Sequence, residues 1–197
     1  MCKDYLENFD FIYHDFMINN GIDNNKELKC RDLKKNTFKD LMINGNAIAN
    51  SGVCVRRDLL IAVGGLSEEK NLIAVEDFDL WIRISLLTSK FKRIPLALGE
   101  YWSGGGNISV SGLAQLDRDK RIYDRYLDKL SVREQARLQT RLLHKEGRIF
   151  DSEGKRNEAV KRYMIVFWKG NIKWKIRALY RMLFGCKNES DYIVASS

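Results

Sequence analysis

A chain of 197 residues that is 45% hydrophobic and 30% charged can bury one good core, or one domain plus a helical appendage, and is too apolar for disorder. No apolar run is long enough to span a bilayer, the start MCKDYLENFD lacks the basic-then-apolar order of a secretion signal, and Cys2, Cys30, Cys54 and Cys186 include no CxxC pair. These features argue against an integral membrane protein, a zinc ribbon and a disulfide scaffold, and predict free thiols in a reducing compartment. The net charge of +8 is uneven: residues 119–187 hold 19 Lys/Arg against 8 Asp/Glu, so the remainder is slightly acidic. Two regions with different partners are expected.

In chain order, FDFIYHDFMI (9–18) mixes aromatic and branched residues and predicts a strand. The polar stretch 19–36 predicts a loop with a short helical piece. Residues 45–57 predict a second extended segment, followed by a short helix from Arg57 to Ala62. VGGL ends that helix, glycine supplying the positive φ of a helix stop. From Asp77 to Thr88, Phe78, Trp81, Ile82, Ser85 and Leu86 recur at helical spacing. FKRIPLALGEYW (91–102) predicts a strand in which Pro95 marks a bulge or an edge. SGGGNISVSG (103–112) predicts a flexible loop.

After Gly112 the pattern turns helical, with one long helix or two over 113–145. Gly147, Phe150, Ala159 and Tyr163 then fall at intervals resembling a tetratricopeptide-type hairpin, in which a small residue lets two helices approach and an aromatic fills the gap. Such a hairpin must pack on neighbouring helices. In the last helix, over 171–185, Ile172, Ile176, Leu179, Met182 and Leu183 share one side, while Lys173, Lys175, Arg177 and Arg181 occupy much of the rest. The tail beyond it is expected to fray.

EDFD places Glu76, Asp77 and Asp79 at a helix start. Carboxylates there are stabilised by exposed N–H groups and the helix dipole, by roughly 0.3–1 kcal/mol each. The same position suits a general base, and spacing alone leaves both readings open. Arg83 stands four residues after Asp79, where an ion pair forms on a helix.

The order VRRDLLIAVGGLSEE, EDFDLWIRI, strand, YWSGGGNIS resembles the second half of the catalytic domain of family 2 glycosyltransferases of the GT-A type. The matching residues are Arg56, Gly64, Gly65, Leu66, Glu68, Glu76 to Trp81, Arg83, Tyr101, Asn107 and Ser109. The resemblance implies a fold class: α/β, a partial GT-A-like domain with a mixed sheet over 1–112, followed by a basic α-helical extension over 113–197. It also implies an inverting transfer of a sugar from a nucleotide-sugar donor to a saccharide or lipid-linked acceptor in cell-surface polysaccharide synthesis. Asp77 would be the general base, and Glu76 would position acceptor or base. Glu68, Gly64, Gly65, Asp79, Trp81, Gly104, Gly105 and Asn107 would line the substrate site, with core packing the plainer role for Trp81 and a helix anchor that for Asp79. Burial beside Phe78 and Trp81 would favour a base of raised pKa.

The sequence departs from the family in two ways. Gly104 stands where many relatives carry a histidine, and His14 and His144 are expected to be ordinary surface or packing residues. No Asp-x-Asp precedes Asp77-Phe78-Asp79, so the divalent ion (Mn or Mg) expected for the family lacks its usual ligands here; no metal-binding residue is assigned. The chain is therefore expected to be an acceptor-side piece, inactive without a donor-binding half. The alternative is a non-catalytic helical interaction or membrane-binding module carrying a relic of the transferase fold. For residues 119–187 three readings stay open: a solvated basic face, contact with an anionic membrane surface, and nucleic acid, for which no RRM, KH or zinc signature speaks. The resemblance implies a cytoplasmic protein, peripheral at the inner face of the cytoplasmic membrane.

Overall fold

The computed structural model describes residues 5–19, 26–103 and 112–185, which fall into two compact units. Among the described residues there are four strands in one mixed, open sheet and seven α-helices. The first unit runs β1 (Phe11–Asn19), β2 (Lys26–Leu28), α1 (Thr37–Asn44), β3 (Val53–Val55), α2 (Arg57–Ala62), α3 (Glu76–Ser85) and β4 (Phe91–Trp102). The second comprises α4 (Leu113–Arg125), α5 (Val132–Ser152), α6 (Arg156–Lys169) and α7 (Ile172–Phe184).

β1 lies at the centre of the sheet. One edge pairs in parallel with β4, while the other is shared by β3 opposite Phe11–Tyr13 and β2 opposite Phe16–Ile18, both antiparallel. Burial on both faces explains why the strand is apolar almost without alternation: Phe11, Ile12, Tyr13, Phe16 and Ile18 are all in the core. Phe11 stacks on Phe91 at 4.4 Å between ring centroids and meets the edge of Trp81 at 4.9 Å, so α3 lies on that side of the sheet. On the other side Phe16, Ile18 and Leu28 cluster with Ala49 and Tyr101.

The irregularity expected at Pro95 is a bulge. His14 pairs with Ile94 and Asp15 with Ala97, leaving Pro95 and Leu96 outside the ladder. Two expectations are corrected. The stretch 19–36 contains the strand β2, with no helix among its described residues, and the extended segment 45–57 is strand only at Val53–Val55, after a 3-10 turn at Asn50–Gly52. That turn brings Gly52 so close to the Phe16 ring that a Cβ would lie 2.7 Å from it. Helix α1 was not foreseen, although Asn36 caps it by accepting the Lys39 N–H at 3.0 Å and Phe38, Leu41 and Met42 form its buried stripe.

A charged group sits inside the sheet at the bulge. Asp15 is buried, and its Oδ1 accepts the Arg93 Nε–H at 2.9 Å and the Cys30 backbone N–H at 2.9 Å. Arg93 Nη2 donates to the other oxygen, and Nη1 reaches Asp32 at 3.1 Å. The carboxylates hold the guanidinium even more firmly protonated than usual. Removing one member of such a pair strands a buried charge, at a cost of about 3–5 kcal/mol, whereas replacing both by apolar groups costs much less. Arg93→Leu is therefore expected to destabilise the protein by about that amount in urea titration, and Asp15→Leu/Arg93→Leu to recover part of the loss.

In the second unit the 113–145 region is two helices. A 3-10 turn at Leu127–Lys129 separates them, and Ser131 starts the second, its N–H and hydroxyl donating to Glu134 Oε2 at 2.9 and 2.8 Å. The close approach expected at Gly147 is present: a Cβ there would lie 2.7 Å from the Tyr163 ring, which is fully buried and donates its hydroxyl to Asp151 at 2.8 Å. Ala159, Tyr163, Val166 and Ala178 form the core joining α6 to α7, and Trp174 and Met182 pack on it. The aliphatic side of α7 is exposed at Ile172, Ile176, Leu179 and Leu183, while Met182 packs on the core. The small Ala178 decides this, because it lets α7 pack closely through a different arc.

His144 is a packing residue, its ring 5.0 Å from that of Trp174 and 5.6 Å from that of Tyr163. Burial, with the charges of Arg148, Arg177 and Arg181, pushes its pKa down from 6.5 to about 3. Between those values the unfolded chain binds a proton that the folded chain refuses, so stability falls as pH drops below 6.5. From pH 7 to pH 5 the wild type is expected to lose about 2 kcal/mol more than His144→Gln, measured by urea unfolding of both.

Candidate active site

The acidic cluster opens α3, and each carboxylate has a different environment. The approach to the helix is set by Leu72 and Val75, both buried, with the Val75 N–H bonded to Leu72 O at 3.0 Å. Between them Ala74 adopts φ +70°, alone among the described non-glycine residues. A Cβ in the left-handed region costs roughly 1–2 kcal/mol, a strain tolerated where surrounding anchors fix the chain.

Glu76 is half-buried, and its Oε2 is shut off from solvent without a hydrogen-bond partner. Asp77 is also half-buried, and its Oδ1 accepts the Phe78 N–H at 2.6 Å. Asp79 is fully inside: its Oδ2 accepts Arg83 Nε–H at 2.8 Å, one turn along the helix. Arg83 also donates to the carbonyl of Val63, which ties α3 to the end of α2. There the Gly64 N–H bonds to Ile61 O at 3.1 Å and the Gly65 N–H to Leu60 O at 2.9 Å, a Schellman stop with φ of +79° and +72°. A Cβ at either glycine would meet nothing within 4 Å, so their requirement is conformational rather than steric.

The structure thus brings Asp79, Arg83 and the Gly64–Gly65 turn into one bonded unit, with Glu76 and Asp77 at its solvent-facing end. Two of the expected substrate-lining residues make the packing and anchoring contacts also expected of them. Trp81 is buried against Phe11, which gives it to the core, and Asp79 is consumed by its ion pair. Glu68 is exposed. Gly104, Gly105 and Asn107 lie outside the described residues.

No protein-family model, curated protein or solved structure matches the chain.

A divalent ion does not fit the Asp77–Asp79 pair. Side chains two apart on a helix diverge by about 200°, and one of these is already neutralised by Arg83. Among the described residues no group of three His, Cys, Asp or Glu converges on a metal position. A second Asp-x-Asp, Asp117-Arg118-Asp119 on α4, was passed over in the sequence; Asp119 is paired with Lys145 at 2.7 Å. A cleft lined by His14, Gly52, Cys54, Ile94 and Leu98 contains none of the expected site residues.

The Arg83–Val63 link and the strain at Ala74 were not foreseen. The first could have been sought, because an arginine four residues after a buried aspartate has spare donors. The second had no signal, since alanine carries no preference for the left-handed region. Ala74→Gly relieves the Cβ clash at an entropic cost of about 0.4–1 kcal/mol, so a net gain of up to about 1 kcal/mol in urea unfolding is expected, and Ala74→Val is expected to lose stability.

Proposed function

We propose that the first unit is the acceptor side of an inverting, nucleotide-sugar-dependent glycosyltransferase related to the GT-A type. Asp77 takes the proton from an acceptor hydroxyl as that oxygen bonds to the anomeric carbon of the donor sugar. The bond from the anomeric carbon to the nucleoside diphosphate breaks on the opposite face, and the diphosphate leaves with the electron pair. Glu76 accepts a hydrogen bond from the acceptor and orients it. The observation that carries this reading is Glu76 Oε2, a buried carboxylate oxygen with no partner beside a second carboxylate at a rigidly held helix start. Such an oxygen is costly unless a ligand group supplies the donor. The order of the VGGLSEE and EDFDLWIR segments supports the same assignment.

The reaction class, the donor and the acceptor come from the family resemblance alone. The acceptor is a saccharide or a lipid-linked saccharide of the cell surface, and donor recognition requires a part with an Asp-x-Asp metal site that the Asp77–Asp79 pair does not provide. A second reading has an observation of its own: Asp77 Oδ1 bonds its own helix at 2.6 Å, as a purely structural end cap does. In that case the unit is a relic carried by a non-catalytic helical interaction or membrane-binding module.

Titration with UDP-, GDP- and dTDP-sugars in manganese, together with a panel of oligosaccharide acceptors, separates the two. Acceptor binding weakened by Glu76→Gln, with little donor binding, is the expected result; tight donor binding by this chain overturns the division of labour, and absence of any acceptor favours the relic. Where a donor-binding polypeptide restores transfer, Asp77→Asn should lower the rate by about 10²–10⁴ with acceptor affinity retained. An active Asp77→Asn protein removes Asp77 as the base.

A further inference from the structure

Helix α7 presents to solvent the kind of surface that a core helix buries. Ile172 is 72% exposed, Ile176 62% and Leu183 67%, with Leu179 and Tyr180 also open, while Ala178 on the opposite arc is fully buried. At 100° per residue, Ile172, Ile176, Leu179 and Leu183 fall within an arc of about 60°, so they form one continuous stripe along the helix. Lys175 borders one side of that stripe and Lys173 the other. On the preceding helix Trp168 is 74% exposed, four residues after the exposed Met164, and Lys169 follows it.

Along the sequence this region is rich in cations, of which Lys161 pairs with Glu158 and Arg162 with Glu146. From Ala159 to Asn188 there are eight Lys/Arg and no Asp or Glu. A second copy of this surface would bring those cations against one another. A globular partner with a mixed surface would not be selected by such an unbroken run. An anionic lipid surface satisfies both features, since it accepts the apolar stripe among its acyl chains and the flanking lysines at its headgroups. No helix among the described residues is long and apolar enough to cross a membrane, so the contact lies in the interface plane.

We propose that α7, with Trp168 at its approach, is an interfacial anchor that docks the second unit on an anionic membrane leaflet, Ile172, Ile176, Leu179 and Leu183 entering the bilayer and Lys173 and Lys175 contacting phosphate. This anchor is independent of the chemistry assigned to the first unit. It differs from simple attraction of a basic protein because the apolar stripe is required as well as the charge.

The test is flotation of the full chain with phosphatidylcholine vesicles, with and without phosphatidylglycerol. Binding is expected only with the anionic lipid. Ile176→Asp/Leu183→Asp should weaken it on the order of tenfold or more, and so should Lys173→Gln/Lys175→Gln, which leaves the stripe intact. All four positions are outside the packed core, and circular dichroism with thermal melting checks that each variant remains folded. Failure to float with anionic vesicles overturns the proposal. Flotation insensitive to the aspartate pair also overturns it, leaving charge alone. A concentration-dependent dimer abolished by the same pair assigns the stripe to a second copy. Binding of single-stranded RNA that survives the aspartate pair, with no flotation, assigns the cations to nucleic acid.

Discussion

The first unit is organised around a carboxylate that its sheet has to neutralise. Asp15 stands on the central strand, buried, where β4 slips its register and Pro95 and Leu96 leave the ladder. An unpaired charge there would be untenable, so Arg93 has to be held opposite it and Cys30 has to present its N–H. The same arginine reaches Asp32, and the Tyr13 hydroxyl donates to Arg31 O at 2.7 Å, which fixes the otherwise irregular segment after β2. Arg31 in turn pairs with the buried Asp40 of α1. A chain of polar contacts thus runs from the sheet through a loop to a helix. Its specificity comes from the requirement that every buried charge be met.

The elements that apolar periodicity defines were legible, and those that polar contacts define were not. β1, α3 and β4 announced themselves through Phe11, Ile12 and Tyr13, through Phe78, Trp81 and Ile82, and through the branched run around Ile94. β2 has three residues and one buried side chain, Leu28, too little for a period. α1 was missed for a different reason. Asn36, Phe38, Leu41 and Met42 carry its cap and its stripe, but the lysines and asparagines around them read as loop. In the second unit Gly147 and Tyr163 marked their own contact, because only one geometry puts a glycine under an aromatic ring between helices.

α7 shows what periodicity leaves open. A stripe of Ile172, Ile176, Leu179 and Leu183 says that one face is apolar and nothing about which face is covered. The deciding residue is the smallest one, Ala178, which allows α7 to sit close to Tyr163 and Val166 and turns the aliphatic stripe outward. An alanine gives a weak signal in any hydrophobicity count, yet close packing of helices depends on such residues more than on the large ones.

The acidic helix start holds its three carboxylates in three different environments. Asp79 is structural: buried and paired with Arg83, it makes the helix a fixed attachment for the glycine turn after α2. Glu76 has one oxygen buried without a partner, as are Trp81 Nε1 and Arg83 Nη2 on the same helix. Asp77 lies between them, half-buried, with one oxygen on its own helix. A base needs a fixed position before it needs an altered pKa, and for the base proposed above the anchoring that Asp79 and Arg83 give to α3 would supply it. The strain at Ala74 fits the same division, since it is the cost of starting a buried helix abruptly enough to leave two carboxylates at its mouth.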